Sequence, residues 1–365
     1  MHVRKGLLFA VLAQLCRSID RHATMPVLQH VKLDADAGAL RVEATDLTTH
    51  IVATIPCEGR YSGCLPAKAL SDFVKPESAP DKHSIVELLP DETGKVSVAV
   101  EGAITTLAAL PAADFPRRPG DKLAVHAWRG AGTWRVKDFA DALGWITRAV
   151  GTDETRKHLT GVLFESDKVI ALDGHRLHLA RIPGLGAVAA LLPGSSILAL
   201  LHLLPKSGDV AALRAKDVIR FRFATGDVQW EVETSGMTEK FPPYDQVIPA
   251  DGSETYFAVV EREPLLRAVA RMPKSRDRHV GIRMVVNGSI KLERDGDDGV
   301  TSTTVAVVRT THEGADSVLG VNATYIADAL ACPVPVVTAR FGGELDPVRI
   351  ELGRDRLAVV MPMRL

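Results

Sequence analysis

Two stretches of the 365-residue chain carry side chains in spacings that chemistry uses. Asp173-Gly-His175-Arg-Leu-His178 gathers a carboxylate, two imidazoles and a guanidinium, the ingredients of a metal site or of acid–base catalysis. A metal site needs a third and a fourth ligand, and no Cys/His cluster with ligand spacing accompanies these residues. On one extended strand His175 and His178 differ by an odd number and face opposite sides of the sheet. Gly184-Leu-Gly186-Ala-Val-Ala189 approaches a dinucleotide-binding loop, but it lies between Pro183 and Pro193 and in no strand–helix–strand unit, so it reads as a connector. No GxxxxGK[ST] phosphate loop and no GxSxG nucleophile elbow occurs. Cys16, Cys57, Cys64 and Cys332 form no CxxC pair and no disulfide framework, and read as buried thiols of a reducing cytoplasm. The expectation is a protein without catalysis, metal or cofactor.

The elements that hold such residues must come from a chain that folds throughout. Hydrophobic residues make up 46% and charged residues 24%, with enough length for two or three domains. The longer apolar stretches, such as Ile197–Leu204, are far short of a membrane span, and the start has no signal-peptide pattern. A net charge of −1 does not by itself point to nucleic acid.

Weak self-similarity at a period of about 120–130 residues organises the chain. Each copy opens with an amphipathic helix at 3–4 spacing: Leu8, Leu12, Leu15 and Ile19; Phe139, Leu143 and Ile146; Leu265, Leu266 and Val269, with Pro264 early in the last. A strand pair follows each helix. The first copy has Val31–Ala35 and Leu40–Leu47, turning at Ala37-Gly38; the second has Gly161–Glu165 and Lys168–Leu177. The third has Gly281–Val286 and Ser289–Glu293 around Asn287-Gly288, a hairpin signal because both turn residues need positive φ. Second helices come next, over Pro66–Val74, Ser195–Leu204 and Asn322–Leu330, with Asn322 as N-cap. Each copy closes on another strand pair, ending Ile104–Ala109, Val228–Glu233 and Leu357–Met361. Phe115-Pro116 and Phe241-Pro242 echo one another at the exits of the first two copies. Short turns between neighbouring strands imply antiparallel sheets, hence an α+β class with three similar domains at 1–122, 123–250 and 251–365.

Seven segments, in this order and spacing, are similar to the bacterial DNA polymerase III beta subunit, the beta sliding clamp. They are Thr24-Met-Pro-Val-Leu28, Ala44-Thr-Asp-Leu47, Leu110-Pro-Ala-Ala-Asp-Phe-Pro116, Glu154-Thr-Arg156 with Leu159-Thr-Gly161, Asp173-Gly-His-Arg-Leu177, Phe241-Pro-Pro-Tyr244 with Val247-Ile-Pro249, and Val359-Val-Met-Pro-Met-Arg-Leu365. The resemblance covers nearly the whole chain. It implies a head-to-tail homodimer of three-domain protomers, with sheets outside and paired helices around double-stranded DNA bound without regard to sequence. Such a heterologous contact makes a ring only if the rotation closes. It implies a processivity factor holding DNA polymerase, clamp loader and repair proteins through short peptides; the alternative is a clamp-derived interaction module that stays monomeric and does not encircle DNA. The charge distribution agrees with a ring. The first helices, over 4–21, 135–150 and 261–278, carry +3, +1 and +3, and all six helical segments together carry +7, leaving the remainder near −8. Basic helices facing phosphates give a weak, salt-sensitive grip.

By resemblance the partner-peptide pocket takes Leu159, Leu172, Gly174, His175, Arg176, Leu177, Pro242 and Val247, with Asn322, Tyr325, Leu345, Val359, Val360, Met361, Pro362, Met363, Arg364 and Leu365. An apolar end with two methionines is adaptable surface for several partners. Plain core packing also accounts for Leu172 and Leu177, and a hydrogen-bonded turn for His175 and Arg176. The DNA-facing residues implied are Arg21, His22, Lys68, Arg148, Lys157 and His158. Departures from the family pattern are specific. Gly102–Leu107 lacks the usual basic and aromatic residues of ring closure, Arg271-Met-Pro-Lys274 stands where aliphatics are common, and Thr105 and Pro273 offer less apolar contact. Leu172, Gln246, His279 and Pro347 differ from common pocket residues. Weaker closure and altered peptide selectivity are expected.

Overall fold

The computed structural model describes residues 1–18, 23–77, 80–250, 256–272, 281–296, 299–310 and 317–364. Ile19, Arg21, His22, Pro273, Lys274, His279 and Leu365 lie outside the described residues. Among those described, six α-helices stand where the repeat puts them: α1 (Lys5–Ser18), α2 (Ala67–Phe73), α3 (Val136–Ile146), α4 (Gly194–Leu203), α5 (Arg262–Ala270) and α6 (Ala323–Ala329). The chain forms two compact units, Met1–Ala140 with Ser195–Gly236, and Asp141–Gly194 with Met237–Leu365.

The first unit is built on one antiparallel sheet. Its main path runs Ala103–Ala108, Lys95–Val100, Ile85–Pro90, His2–Arg4, Thr49–Glu58, Val228–Ser235, Val218–Thr225, Asp209–Ala215 and Arg129–Arg135. Period-2 alternation sets the faces: Val96, Val98 and Val100 are buried along one strand, and Val31, Leu33 and Ala35 along another. α1 covers the sheet with Leu8, Val11, Leu12 and Leu15 and packs on α2. The strand expected over Leu40–Leu47 ends at Thr45. Asp46 Oδ1 accepts the amides of Thr48 and Thr49, Leu47 turns into the left-handed region (φ 75°), and Thr49–Glu58 pairs back on Ala39–Thr45. Of the two hairpins read from turn residues, Ala37-Gly38 has positive φ at both positions (51° and 84°), whereas at Asn287-Gly288 the glycine alone takes it (64°).

Thr49–Glu58 also pairs with Val228–Ser235, nearly two hundred residues later, in a register that sets His50 beside Glu233. This join is polar and buried. Glu233, 1% exposed, accepts from Gly120 N at 2.6 Å and from Arg220 Nε and Nη2 at 2.8 and 2.6 Å. Arg118 reaches Asp121 (2.8 Å) and Glu231 (3.2 Å), and Arg220 lies 4.0 Å from the Trp128 ring centroid. Full pairing lets these charges stay buried. Burial holds the His50 imidazole below its ordinary value, with Glu233 opposing.

The second unit has a nine-stranded sheet in the order Ala190–Pro193, Gly161–Glu165, Lys168–Leu172, Arg176–Arg181, Arg356–Val360, Val348–Leu352, Val336–Phe341, Tyr256–Glu261 and Arg309–Thr310. A four-stranded sheet follows the order Gly299–Ala306, Ser289–Gly296, Gly281–Val286 and Ser317–Asn322. The run expected as one strand over Lys168–Leu177 is two strands, because Gly174 (φ 92°) reverses the chain. His175 therefore sits in the turn and His178 in the following strand, and the opposite-face argument for the pair does not apply. The segment 184–189 is a connector between two strands, with Leu185 and Val188 buried. Both Phe-Pro echoes bury the ring: Phe115 against Val27, Leu28 and Cys64, and Phe241 against Leu172, Leu177 and Val359. Of the four cysteines, Cys64 and Cys332 are buried, whereas Cys16 and Cys57 are half-buried. Among the described residues no helix is long and apolar enough to cross a membrane.

The strap at Gly120 is testable. A Cβ there meets both Glu233 carboxylate oxygens and the Trp128 ring at 2.7 Å. Gly120→Ala is expected to destabilise by about 1–3 kcal/mol, as overpacking does. Urea unfolding checks it; an unchanged midpoint means that the strap shifts freely.

Candidate partner site and basic residues

The Asp173–Arg176 turn is held by its own carboxylate. Asp173 Oδ1 accepts from the amides of His175 (2.9 Å) and Arg176 (3.0 Å), and Oδ2 from Arg176 Nε (3.0 Å). Arg176 then reaches Asp328 on α6 at 2.5 Å and lies 4.5 Å from the Tyr325 ring centroid, one helical turn before Asp328. The other Asp328 oxygen takes Arg148 at 2.8 Å. Burial pushes the Tyr325 phenol up. A side chain at Gly174 would be strained by its φ of 92°, and its Cβ would stand 3.2 Å from the Arg156 guanidinium, which would have to give slightly.

An apolar wall adjoins this turn. Leu159, Leu172, Leu177 and Val359 share one cluster with Ile170, Leu179, Leu191, Phe241 and Tyr244. Strand register brings them together: Leu172 pairs with Leu177, and Leu177 with Val359. Their low exposure means that they pack as core while one edge forms the wall. Pro242 is half-buried and Val247 exposed, on the segment that covers the cluster. The Tyr244 hydroxyl donates to Glu165 at 2.6 Å; burial and that bond hold its proton well above the usual range.

Beyond Val360, which is fully buried, the tail is anchored on both sides. Met361 N donates to His175 O and Met363 N to Gly320 O, each at 2.8 Å. Met361, Pro362 and Met363 are half-buried and Arg364 exposed. Asn322 is buried as the cap of α6, its side chain accepting from Thr324 N at 2.9 Å. Leu345 is 65% exposed and lines a groove with Met363 and Arg364, away from the Leu172 cluster. The expected pocket residues thus fall into three groups: wall, turn with α6, and tail with groove.

The residues expected to face DNA are scattered. Lys68 on α2 pairs with Asp72 one turn on. Lys157 is exposed and His158 half-buried on the turn Glu154–Leu159, capped by Asp153. Arg148 is engaged by Asp328, so it belongs to the same network as the turn. Sequence reading missed Arg156 and Asp328; the Tyr325-x-x-Asp328 spacing on one helical face was the available signal. Thr105 pairs inward with Val98 and is half-buried, while Ile104 is 69% exposed, so alternation makes Ile104 the apolar group at that edge.

His178 is no ligand candidate here. It is fully buried, stacked 4.2 Å from Trp145, with Nδ1 2.9 Å from Trp145 O. Among the described residues no three His, Cys, Asp or Glu side chains gather as a metal site.

Antiparallel α+β units of this kind recur in the solved structures of sliding clamps, whose fold the chain shares. The crystal structure of the Caulobacter crescentus beta sliding clamp matches 100% of the chain and 98% of its own at a TM-score of 0.87, with 23% identity. Residues 1–119 match the DNA polymerase III beta subunit, N-terminal domain. The Pseudomonas aeruginosa beta sliding clamp is 27% identical over 384 residues, covering 100% of the chain and 99% of the relative; that of Escherichia coli is 25% identical over 383 residues, at 100% and 99%. Along its whole length the chain is thus similar to bacterial beta sliding clamps, and over its first 119 residues to the N-terminal domain of the DNA polymerase III beta subunit.

The neutral core imidazole has a pH consequence. Burial lowers the His178 pKa from 6.5 to about 4. The unfolded state then binds more protons between those values, so the contribution is complete above pH 6.5 and is lost as pH falls toward 4. About 2 kcal/mol should disappear between pH ~7.5 and ~5. Urea unfolding of His178→Phe should show a correspondingly flatter dependence; parallel curves would contradict it.

Proposed function

We propose that two copies join head to tail around duplex DNA and tether DNA polymerase, clamp loader and repair proteins through short peptides. The reading is carried by the end-to-end match, in which beta sliding clamps are covered at 99% of their length. The ring unit is the three-domain protomer, 1–122, 123–250 and 251–365. The buried Phe115 and Phe241 echoes and the recurring helix pairs support that division. Sequence-blind DNA binding is supported by the exposed Lys157, the half-buried His158 beside it and the basic first helices. The place of work is the cytoplasm.

Closure would join two edge strands. Ala103–Ala108 ends the first unit's main sheet path and exposes Ile104 (69%); Gly299–Ala306 ends the four-stranded sheet and exposes Val300 (67%). Apolar side chains on free edges invite pairing with another chain. Ile104→Asp is expected to weaken the dimer about 10- to 100-fold, since burying an apolar side chain contributes about 1.5–3 kcal/mol. Sedimentation over a dilution series reads it; an unchanged dissociation constant places the interface elsewhere.

The pocket reading takes the residues from Leu159 to Leu365 named above as one docking site, its energy centred on the wall and tail. Deleting Met361–Leu365 should cost about 2 kcal/mol or more in peptide affinity, as central anchors do. DNA retention should persist: protein held on a nicked circular plasmid should be released when the plasmid is linearised, with or without the deletion. Equal peptide affinity for intact and truncated protein, both folded by circular dichroism, ends the assignment. Retention on linear DNA ends the ring.

A further inference from the structure

The internal repeat gives the Asp173 turn a counterpart in the first unit. Asp46 Oδ1 accepts the amides two and three residues on, Thr48 at 2.9 Å and Thr49 at 2.6 Å, as Asp173 does with His175 and Arg176. Leu47 takes the left-handed conformation that Gly174 takes, and Thr49 stands where Arg176 does. The helices correspond as well. Buried Leu8, Leu12 and Leu15 of α1 match Phe139, Leu143 and Ile146 of α3, which sets Arg17 in the place of Arg148. Buried Ile197, Leu200 and Leu203 of α4 match Ile326, Ala329 and Cys332 on and just after α6. Ser196 therefore takes the place of Tyr325, and Ala199 that of Asp328.

In the second unit four large side chains fill the space between turn and helices, with Arg176 on Tyr325 and Asp328 between Arg176 and Arg148. In the first unit three of the four counterparts are small. Thr49 and Ser196 spend their hydroxyls on each other at 2.7 Å, and Ser196 continues to Thr234 at 2.9 Å. What remains is a cavity of about 260 Å³, with Ile51, Leu198 and Ala199 as apolar wall and Arg17 and His202 in its lining. About 150 Å³ is enough to hold a benzene ring. Asp46, the one carboxylate in the lining, is committed to the turn amides, and His202 Nδ1 lies 2.8 Å from Leu198 O. Arg17 is exposed and has no hydrogen-bond or ion-pair partner among the described residues.

We propose that this cavity is a further docking site, taking a protein segment that supplies what Tyr325 and Asp328 supply in the second unit. Its aromatic ring covers the apolar wall, and a neighbouring carboxylate meets the Arg17 guanidinium, the planar partner that carboxylates bind best. A duplex phosphate could reach Arg17 but would leave the apolar wall bare, so a protein segment is the better fit. The site shares no residue with the partner pocket and does not rest on that reading.

Fluorine NMR titration of the full-length protein tests it. The probe is a capped peptide, Gly–fluorophenylalanine–Glu–Gly, compared with the same peptide carrying Gln for Glu. The Glu peptide should bind about 3- to 10-fold tighter, as a partly screened arginine–carboxylate pair provides. Arg17→Gln should remove that difference and leave the affinity of the Gln peptide as it was. Ala199→Asp, which restores the carboxylate that Asp328 offers Arg148, should weaken the Glu peptide at least as much; urea unfolding checks that both variants fold. Deleting Met361–Leu365 should change neither affinity. Equal binding by the two peptides, or a Glu preference that survives Arg17→Gln, overturns the proposal. So does a preference lost in the folded deletion variant, which places the probe in the second unit. If neither peptide binds and Arg17→Gln weakens a duplex oligonucleotide instead, Arg17 is a phosphate contact and the docking site falls.

Discussion

A strand whose backbone donors and acceptors lack a neighbour is a liability, and this chain meets that constraint with partners drawn from far along the sequence. Thr49–Glu58 takes Val228–Ser235, and Arg176–Arg181 takes Arg356–Val360. Each join fixes more than backbone. The first stacks His50 beside Glu233 and creates the buried pocket of charge that Arg118, Arg220 and Gly120 complete. The second sets Leu177 against Val359, which generates the apolar wall and delivers the tail to His175 O. A one-residue slip in that register would turn every one of these side chains to the other face.

The turn between Leu172 and Leu177 shows how local chemistry is recruited to a larger site. Asp173 could close the turn alone, through two amides. By also holding Arg176 Nε it aims the guanidinium at Asp328 and Tyr325. Asp328 stands between two arginines, so removing it would strand both Arg148 and Arg176, a larger loss than that of one exposed ion pair. The motif that resembled an acid–base or metal centre is therefore a positioning device.

Much of this was legible in sequence because periodicity and turn chemistry are local. The six helices lie within a residue or two of the apolar repeats, and Asn322 caps α6 as its type and place suggest. Strand breaks were less legible. Leu47 has no Gly or Pro beside it, and its reversal depends on the Asp46 carboxylate; in Lys168–Leu177 a signal was present, since Asp173-Gly174 stands where the chain reverses. Long-range partners were invisible, since nothing near Asp328 announces Arg148 or Arg176. Charge counts along helices likewise gave no sign that Lys68 and Arg148 are engaged by carboxylates.

The chain's four tryptophans are unevenly placed: Trp128, Trp134 and Trp230 fall in the first unit and Trp145 in the second. Trp145 donates its indole proton to Ala329 O at 2.9 Å and lies flat against His178. The fluorescence of the second unit therefore comes from one buried indole, tied at once to α3, α6 and the strand that pairs with the C-terminal one. With the other three replaced, its emission would follow the loosening of that single junction, a spectroscopic handle on the second unit alone.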